Sequence, residues 1–420
     1  MSHTPAQQVA NQLSEHDPRY AWVMVAATFI LSGLAFGVLG SVSVFLKPLA
    51  AEFGWTRAET SLGYSTVALS SAFFGVLWGY VADRVGSRWF GLLGAVSMGS
   101  FLFLMSRQTS LAEFYTYYFL FGALGSAAVY SPLFASVGFW FKRQPGLALG
   151  ITAAGGAVGQ GVVPYLASLA ITAYDWQTAY QLMAIAYFVI TLPTALLIRE
   201  APDRLFGRTS SLPPSHPLRI SEREVIMWVS CAVIFCCICM AFPIVHLVPL
   251  LTDQGKEASV GASVLLVLMI SGAFGRVAGG KLGDLIGPIP AYMTMSLGQT
   301  VFVLWFPHLN DLGGFYLLAI AFGFTYSGVM SSILVCTRMM VSPSFGARAM
   351  GITSFFGWLG MALGGYLGGV FFDNTGSYVD AFAFASAAGL INLIILFVFF
   401  MRARGESVYT EANIPGVPSS

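Results

Sequence analysis

Arg276 stands inside a stretch, residues 258 to 283, that is otherwise apolar enough to cross a bilayer. A guanidinium in hydrocarbon costs roughly 2.5 to 3.5 kcal/mol on insertion scales, so such a residue marks a partner, a water-filled cavity or an ion pathway. Helical spacing puts Gly272, Ala273, Gly279 and Gly280 beside it, and a face that small leaves room for a ligand. A planar guanidinium can hold a carboxylate through two charge-assisted hydrogen bonds. The competing reading is an arginine that snorkels to the interface or pairs with a carbonyl of a neighbouring helix. The small face favours the anion site.

Other side chains offer less. His246, between Pro243 and Pro249, is the only histidine within a span; a proton-coupling role competes with an interfacial histidine, and the latter reading is favoured. Phe355 and Trp358 lie on one face of the eleventh span, where they would wall an apolar pocket or pack against helices and lipid. A membrane-embedded enzyme needs a nucleophile and base, a metal cluster or a carboxylate pair at membrane depth. All nineteen acids fall in loops, tails or helix ends, so no catalytic residue is assigned. Cys231, Cys236, Cys237 and Cys239 share one apolar run without paired spacing and read as small core residues, with no metal or other cofactor expected.

The elements that position these residues follow from composition. Of 420 residues, 56% are hydrophobic and 9% charged, against about 25% charged in a soluble domain: the chain is polytopic and its solvent is a lipid bilayer. A net charge of +1 makes no case for nucleic acid. The 46 glycines allow the close helix approach that intramembrane bundles need.

Apolar runs of about twenty residues give twelve predicted spans, near residues 21 to 46, 60 to 82, 89 to 106, 112 to 140, 146 to 171 and 177 to 198, then 225 to 251, 258 to 283, 290 to 307, 313 to 340, 348 to 372 and 379 to 401. The first is an uncleaved span, without the small-residue site of a signal peptide. The predicted organisation is a cytoplasmic tail at 1–20, a six-helix bundle at 21–198, a proline- and serine-bearing cytoplasmic linker at 199–224, a second six-helix bundle at 225–401 and a cytoplasmic tail at 402–420. With both termini cytoplasmic, fifteen basic residues lie inside and four outside (Lys47, Arg57, Arg107 and Lys256), the asymmetry of positive-inside topology.

The two halves repeat. An offset of 201 residues lays Gly79, Asp83 and Gly86 on Gly280, Asp284 and Gly287, Phe121 and Gly122 on Phe322 and Gly323, and Gly150 to Thr152 on Gly351 to Thr353. Duplicated halves are the architecture of alternating-access carriers, with the ligand near the midplane. The same offset sets Arg276 against Gly75, so the charge belongs to one half and serves a ligand rather than the scaffold.

After the second span, Gly79-Tyr80-Val81-Ala82-Asp83-Arg84-Val85-Gly86-Ser87-Arg88 resembles the G-x-x-x-D-R-x-G-R-R loop of the major facilitator superfamily, with Ser87 replacing an arginine. The motif implies gating roles for Asp83, Arg84 and Gly86, and for Asp284 in the weaker second copy: an acid at a helix end can hold an arginine or a helix N-terminus, and the glycine permits the turn. The fifth span opens with Trp140-Phe141-Lys142-Arg143-Gln144-Pro145-Gly146-Leu147-Ala148-Leu149-Gly150, followed by Ala153, Ala154, Gly155 and Gly159. This resembles the signature of the monocarboxylate transporter family, in the spacing of its bacterial branch related to oxalate/formate antiporters. Phe53-Gly54-Trp55-Thr56-Arg57-Ala58 extends the likeness.

The resemblance implies an all-α major facilitator fold with two pseudo-symmetric six-helix bundles, working as a monomer in the plasma membrane (the inner membrane, for a bacterium). It implies that Arg276 binds the substrate carboxylate, and that Tyr326 and, less strongly, Tyr118 lie on cavity-lining helices where a phenol could assist; each could equally be a core aromatic. The chain departs from the family where animal members carry an aspartate (here Gly272) and a first-helix lysine (here Gly40). The oxalate carrier's second cation, in the eleventh helix, is also missing. One cation matches one carboxylate, because a dicarboxylate would bury an unpaired charge. The expected function is secondary transport of a small monocarboxylate of the lactate or pyruvate kind, with proton symport. An organic-anion antiporter and a drug or organic-acid exporter are the alternatives, and an enzyme or receptor is disfavoured.

Overall fold

The computed structural model describes residues 19–141, 145–200, 220–341 and 343–412, and all its regular elements are helical. Twelve are long and apolar enough to cross a membrane. In a bilayer every backbone N–H and C=O must be satisfied within the segment, which selects helices for apolar runs of this length. In chain order they are α1 (Arg19–Phe53), α2 (Arg57–Val85), α3 (Arg88–Met105), α4 (Leu111–Leu120, continued through Ala127–Trp140), α5 (Pro145–Ala173), α6 (Trp176–Leu196), α7 (Glu222–Asp253), α8 (Ala258–Ile286), α9 (Pro288–Trp305), α10 (Leu312–Met339), α11 (Pro343–Thr375) and α12 (Val379–Ala412). Most of the predicted linker lies outside the described residues, as do both tails beyond these limits.

The helices form two six-helix bundles, and the repeat seen in the sequence is visible in the backbone. Gly54 and Gly255 have φ of +70° and +79°, and Gly86 and Gly287 have φ of +96° and +91°: the turns at both ends of α2 recur at the same offset around α8. The packing recurs too. A Cβ on Gly122 would stand 2.8 Å from the Val67 carbonyl oxygen, and one on Gly323 would stand 2.0 Å from that of Leu268.

An even number of spans places Arg19 and Ala412 at one end of the molecule, the termini end. At the far end four helix starts are capped by side chains: Thr56 and Glu59 form a reciprocal capping box on α2, and Ser110, Asp175 and Asp311 cap α4, α6 and α10. The outward faces carry large apolar side chains, such as Val189 and Leu317, as a lipid-facing surface requires.

α4 is interrupted by a π-helical turn at Phe121–Ser126. The wider turn leaves carbonyls with poorer helical partners, and α2 supplies donors: Ser71 Oγ donates to Gly122 O (3.2 Å) and Trp78 Nε1 to Ala123 O (2.6 Å). The corresponding stretch of α10 is continuous. The turn therefore breaks the repeat just where α4 enters the centre of the molecule.

Candidate functional site

Arg276 sits two-thirds of the way along α8, partly buried, on the seam between the bundles. Its Nη1 donates to the carbonyl of Ala153 on α5, in the other bundle, at 2.7 Å. This is the carbonyl pairing that the sequence weighs against an anion site, and it occupies a single N–H. The Nε is buried without a hydrogen-bond partner, an unmet donor that a carboxylate oxygen would satisfy. Two phenols lie within electrostatic reach of the guanidinium, Tyr130 of α4 and Tyr326 of α10.

Tyr326 is thus beside Arg276, its ring stacked on Phe322 (centroids 5.9 Å apart). Tyr118 is elsewhere. It is buried inside the first bundle, its hydroxyl 2.6 Å from that of Tyr180 on α6, with Phe114 against its ring. The fourth-helix tyrosine near Arg276 is Tyr130, four residues past the end of the π turn, and sequence reasoning missed it. Only the turn's consecutive carbonyl contacts to α2 show which part of this tyrosine-rich helix faces inward.

Trp358 of α11 lines a cavity with Phe36 and Leu39 of α1, Val67 of α2 and Tyr130 of α4. Its ring stacks on Phe36 across the seam, with centroids 6.0 Å apart and planes at 22°. Phe355 is 39% exposed and meets Phe356 edge to face; no contact with Trp358 or Arg276 joins it to the cavity among the described residues.

Two small residues beside Arg276 act differently from the sequence expectation. Gly272 and Gly279 do not leave room for a ligand but bring α10 close: Cβ atoms there would stand 2.4 Å from Ser327 Oγ and 2.3 Å from Gly328 O. Gly280 has open space, as have Gly150 and Gly351, all three towards the termini end. The packing also explains the departures from the family. A Cβ on Gly40 would stand 2.6 Å from the Gln160 carbonyl oxygen, so α1 lies too close to α5 for a lysine, as α8 lies too close to α10 for an aspartate.

His246, near the far end of α7, is fully buried inside the second bundle. Arg57 Nη1 donates to the Tyr378 hydroxyl (3.0 Å), which also shares a hydrogen bond with His246 Nδ1 (3.3 Å). Because a carbonyl only accepts, His246 Nε2–H donates to Gly365 O at 2.8 Å. Both nitrogens of the imidazole are thus engaged.

At the far end the bundles are joined by groups the sequence did not single out as a unit. Arg57, the first residue of α2, forms a two-pronged ion pair with Asp253, the last of α7, and Lys47 adds a second cation at 2.9 Å. Asp373 of α11 accepts from the backbone N–H groups of Arg57 and Ala58 (3.0 and 2.7 Å), so its carboxylate sits on the N-terminus of α2 where the helix dipole favours it. The Arg57 guanidinium also lies 3.7 Å from the centroid of Phe372.

In the loop motif, Gly86 takes the positive φ its type allows. Arg84 is exposed and lies over the Tyr80 ring at 4.5 Å, donating to its hydroxyl. The side chains of Asp83 and Asp284 lie outside the described residues. Glu200, just beyond α6, accepts from the Ser87 and Arg88 backbone N–H groups and from Ser87 Oγ (2.9 Å).

Comparison with known proteins agrees with this architecture. The Major Facilitator Superfamily family model matches residues 26–337. The chain is 27% identical to "Monocarboxylate transporter 13" of Bos taurus over 96% of both chains. It is 24% identical to the "Uncharacterized MFS-type transporter YcxA" of Bacillus subtilis, over 93% of this chain and 98% of that one. "Riboflavin transporter RibJ" of Trypanosoma brucei brucei is 32% identical, over 44% of this chain and 34% of its own. Among solved structures, a bacterial homolog of the human lysosomal transporter Spinster, inward-facing and unoccupied, superposes with a TM-score of 0.66 at 16% identity, over 93% of this chain and 98% of that one.

Proposed function

We infer that this chain, which belongs to the Major Facilitator Superfamily, is a secondary carrier of small monocarboxylates of the lactate or pyruvate kind, working by alternating access. The observation that carries the reading is Arg276: a guanidinium on the seam between the bundles, bonded to one of them, carried by the other, and retaining a buried unmet Nε–H. A carboxylate arriving there takes the place of the Ala153 carbonyl and uses two donors at once, which couples binding to the contact between the bundles. The likeness to monocarboxylate transporter 13 over nearly the whole chain supports the same substrate class.

In this reading both termini face the cytoplasm, the far end faces outward, and Arg57 with Asp253 closes the outward side while the seam is open near Gly150, Gly280 and Gly351. The monomer is the working unit, and gating at the termini end falls to Asp83, Arg84, Gly86 and Asp284. A proton accompanies the anion, carried on the substrate carboxylate itself, since burial favours its neutral form against the pull of Arg276. Anion exchange is the second reading, favoured by the engagement of both His246 nitrogens in hydrogen bonds within the second bundle.

Uptake of radiolabelled lactate by proteoliposomes, with and without an inward proton gradient, tests the function. Uptake in wild type that is lost in Arg276→Gln at equal expression supports it. Absence of carboxylate uptake under either condition overturns it.

A further inference from the structure

We propose that Gln160 of α5 sets the specificity of the carrier: its side-chain amide binds the oxygen on the second carbon of the acid, so that 2-hydroxy and 2-oxo acids are taken in preference to acids lacking that oxygen. This rests on the reading of Arg276 as the carboxylate site and adds a second ligand from the opposite bundle.

The faces of α5 are fixed by what its glycines touch. Gly155 and Gly159 lie against α1, where Cβ atoms would stand 2.4 Å from Phe29 O and 1.7 Å from Gly33 O. Gly161 lies against α8 of the other bundle, where a Cβ would stand 3.0 Å from Met269 and 3.1 Å from Leu266. Leu169 is exposed and marks the lipid side. Gln160 falls on the remaining face, between α1 and α8, and lies within about 20° of Ala153, seven residues earlier. Ala153 is the residue whose carbonyl takes Arg276 Nη1, and Ala157, between the two, is buried.

Gln160 is 4% exposed, yet its amide makes no hydrogen bond among the described residues. Its stem is seated on Gly40 of α1, where a Cβ would stand 2.8 Å from Gln160 Cγ. Ala153 opposite Arg276 and Gly161 opposite Met269 show that α5 and α8 run antiparallel. Helical side chains lean towards the N-terminus of their own helix, so Gln160 leans towards the termini end and Arg276 towards the far end. Two turns of α5, roughly 10 Å of rise, separate their levels, and across that interval the two lean towards each other. Each brings an unmet polar group, the amide and the Nε–H, and burial makes an unmet group costly.

An amide is both donor and acceptor. Its Nε2–H donates to a 2-oxo group and its Oε1 accepts from a 2-hydroxyl, so the oxidised and the reduced acid fit one site. Being neutral, it leaves one cation for one carboxylate. An acid with a methyl in place of the oxygen leaves the amide unpaired and is rejected on that account.

The test is binding to the purified full chain in nanodiscs by isothermal titration calorimetry, with lactate, pyruvate, isobutyrate (lactate with a methyl for its hydroxyl) and the neutral lactamide. Lactate and pyruvate are expected to bind about tenfold tighter than isobutyrate. Gln160→Met, of similar length and without the amide, is expected to bring both ratios towards one while the affinity for isobutyrate is kept. Gln160→Leu asks the same question, should Gln160→Met not insert. Ratios that stay as in wild type in these variants, or wild type binding lactate and isobutyrate alike, overturn the role of Gln160; loss of all three acids in Arg276→Gln then leaves the carboxylate site standing. Lactamide binding as tightly as lactate, with Arg276→Gln indifferent to both, overturns the carboxylate site and this proposal with it.

Discussion

Asp253 grips Arg57 with both carboxylate oxygens, at 2.6 Å to Nη1 and 2.7 Å to Nη2, and in doing so ties the last residue of α7 to the first residue of α2. The pair is only partly exposed, so a charge-assisted bond here contributes about 1.5 to 3 kcal/mol. Arg57→Gln should shift the balance towards a state open at the far end by on the order of tenfold. Spin labels at the exposed positions Glu52 and Asn374 would report this as a longer interbundle distance. An unchanged distance distribution would show that Asp373 and Lys47 hold the closure without Arg57.

Arg276→Gln should lower carboxylate affinity on the order of 100-fold, the cost of removing one partner of a buried charge pair. Arg276→Lys keeps the charge but loses the fork, and should fall between wild type and Gln. Oxalate should compete poorly, because the site supplies one cation for two carboxylates. Competition assays with lactate and oxalate check both statements, and oxalate binding as tight as lactate binding would reveal a second cation.

How much of this could be read beforehand depends on what a residue's neighbours are. Twelve spans, two halves and the lone charge of Arg276 were legible because bilayer thickness, the offset between halves and the cost of a buried guanidinium act on the chain itself. Tyr118, paired with Tyr180, and Tyr130, placed instead beside Arg276, lie on either side of a π turn that the matching stretch of α10 lacks. Neither contact has a local signature. Gly272 was legible as a missing aspartate, but its reason, the closeness of α10, lies 55 residues further along at Ser327.

An acid placed at position 272 should therefore fail for want of space. Gly272→Asp is expected to destabilise by about 1 to 3 kcal/mol through overpacking against Ser327. Adding Ser327→Gly should recover part of that loss. Thermal unfolding followed by intrinsic fluorescence, with the two single variants and the double, checks the coupling; purely additive effects would show that the contact is not the cause.

His246→Gln should retain any dependence of uptake on a proton gradient, since the imidazole bridges Tyr378 and Gly365 as a structural group. Proton-driven uptake lost while lactate exchange persists would make it the coupling residue.

Orientation is checked with an impermeant thiol reagent on intact cells. Asn374→Cys, exposed at the far end, should react, and Ser211→Cys in the linker should not. The reverse pattern would invert the topology and every gating assignment made from it.

Glu200 stands where the first bundle gives way to the connection leading to the second, and its carboxylate is moored on the Ser87 and Arg88 amides at the turn between α2 and α3. A displacement at the end of α6 is thus delivered to the α2–α3 turn through one carboxylate. Moving Glu200 would load the loop motif mechanically, even though no residue of the motif had changed.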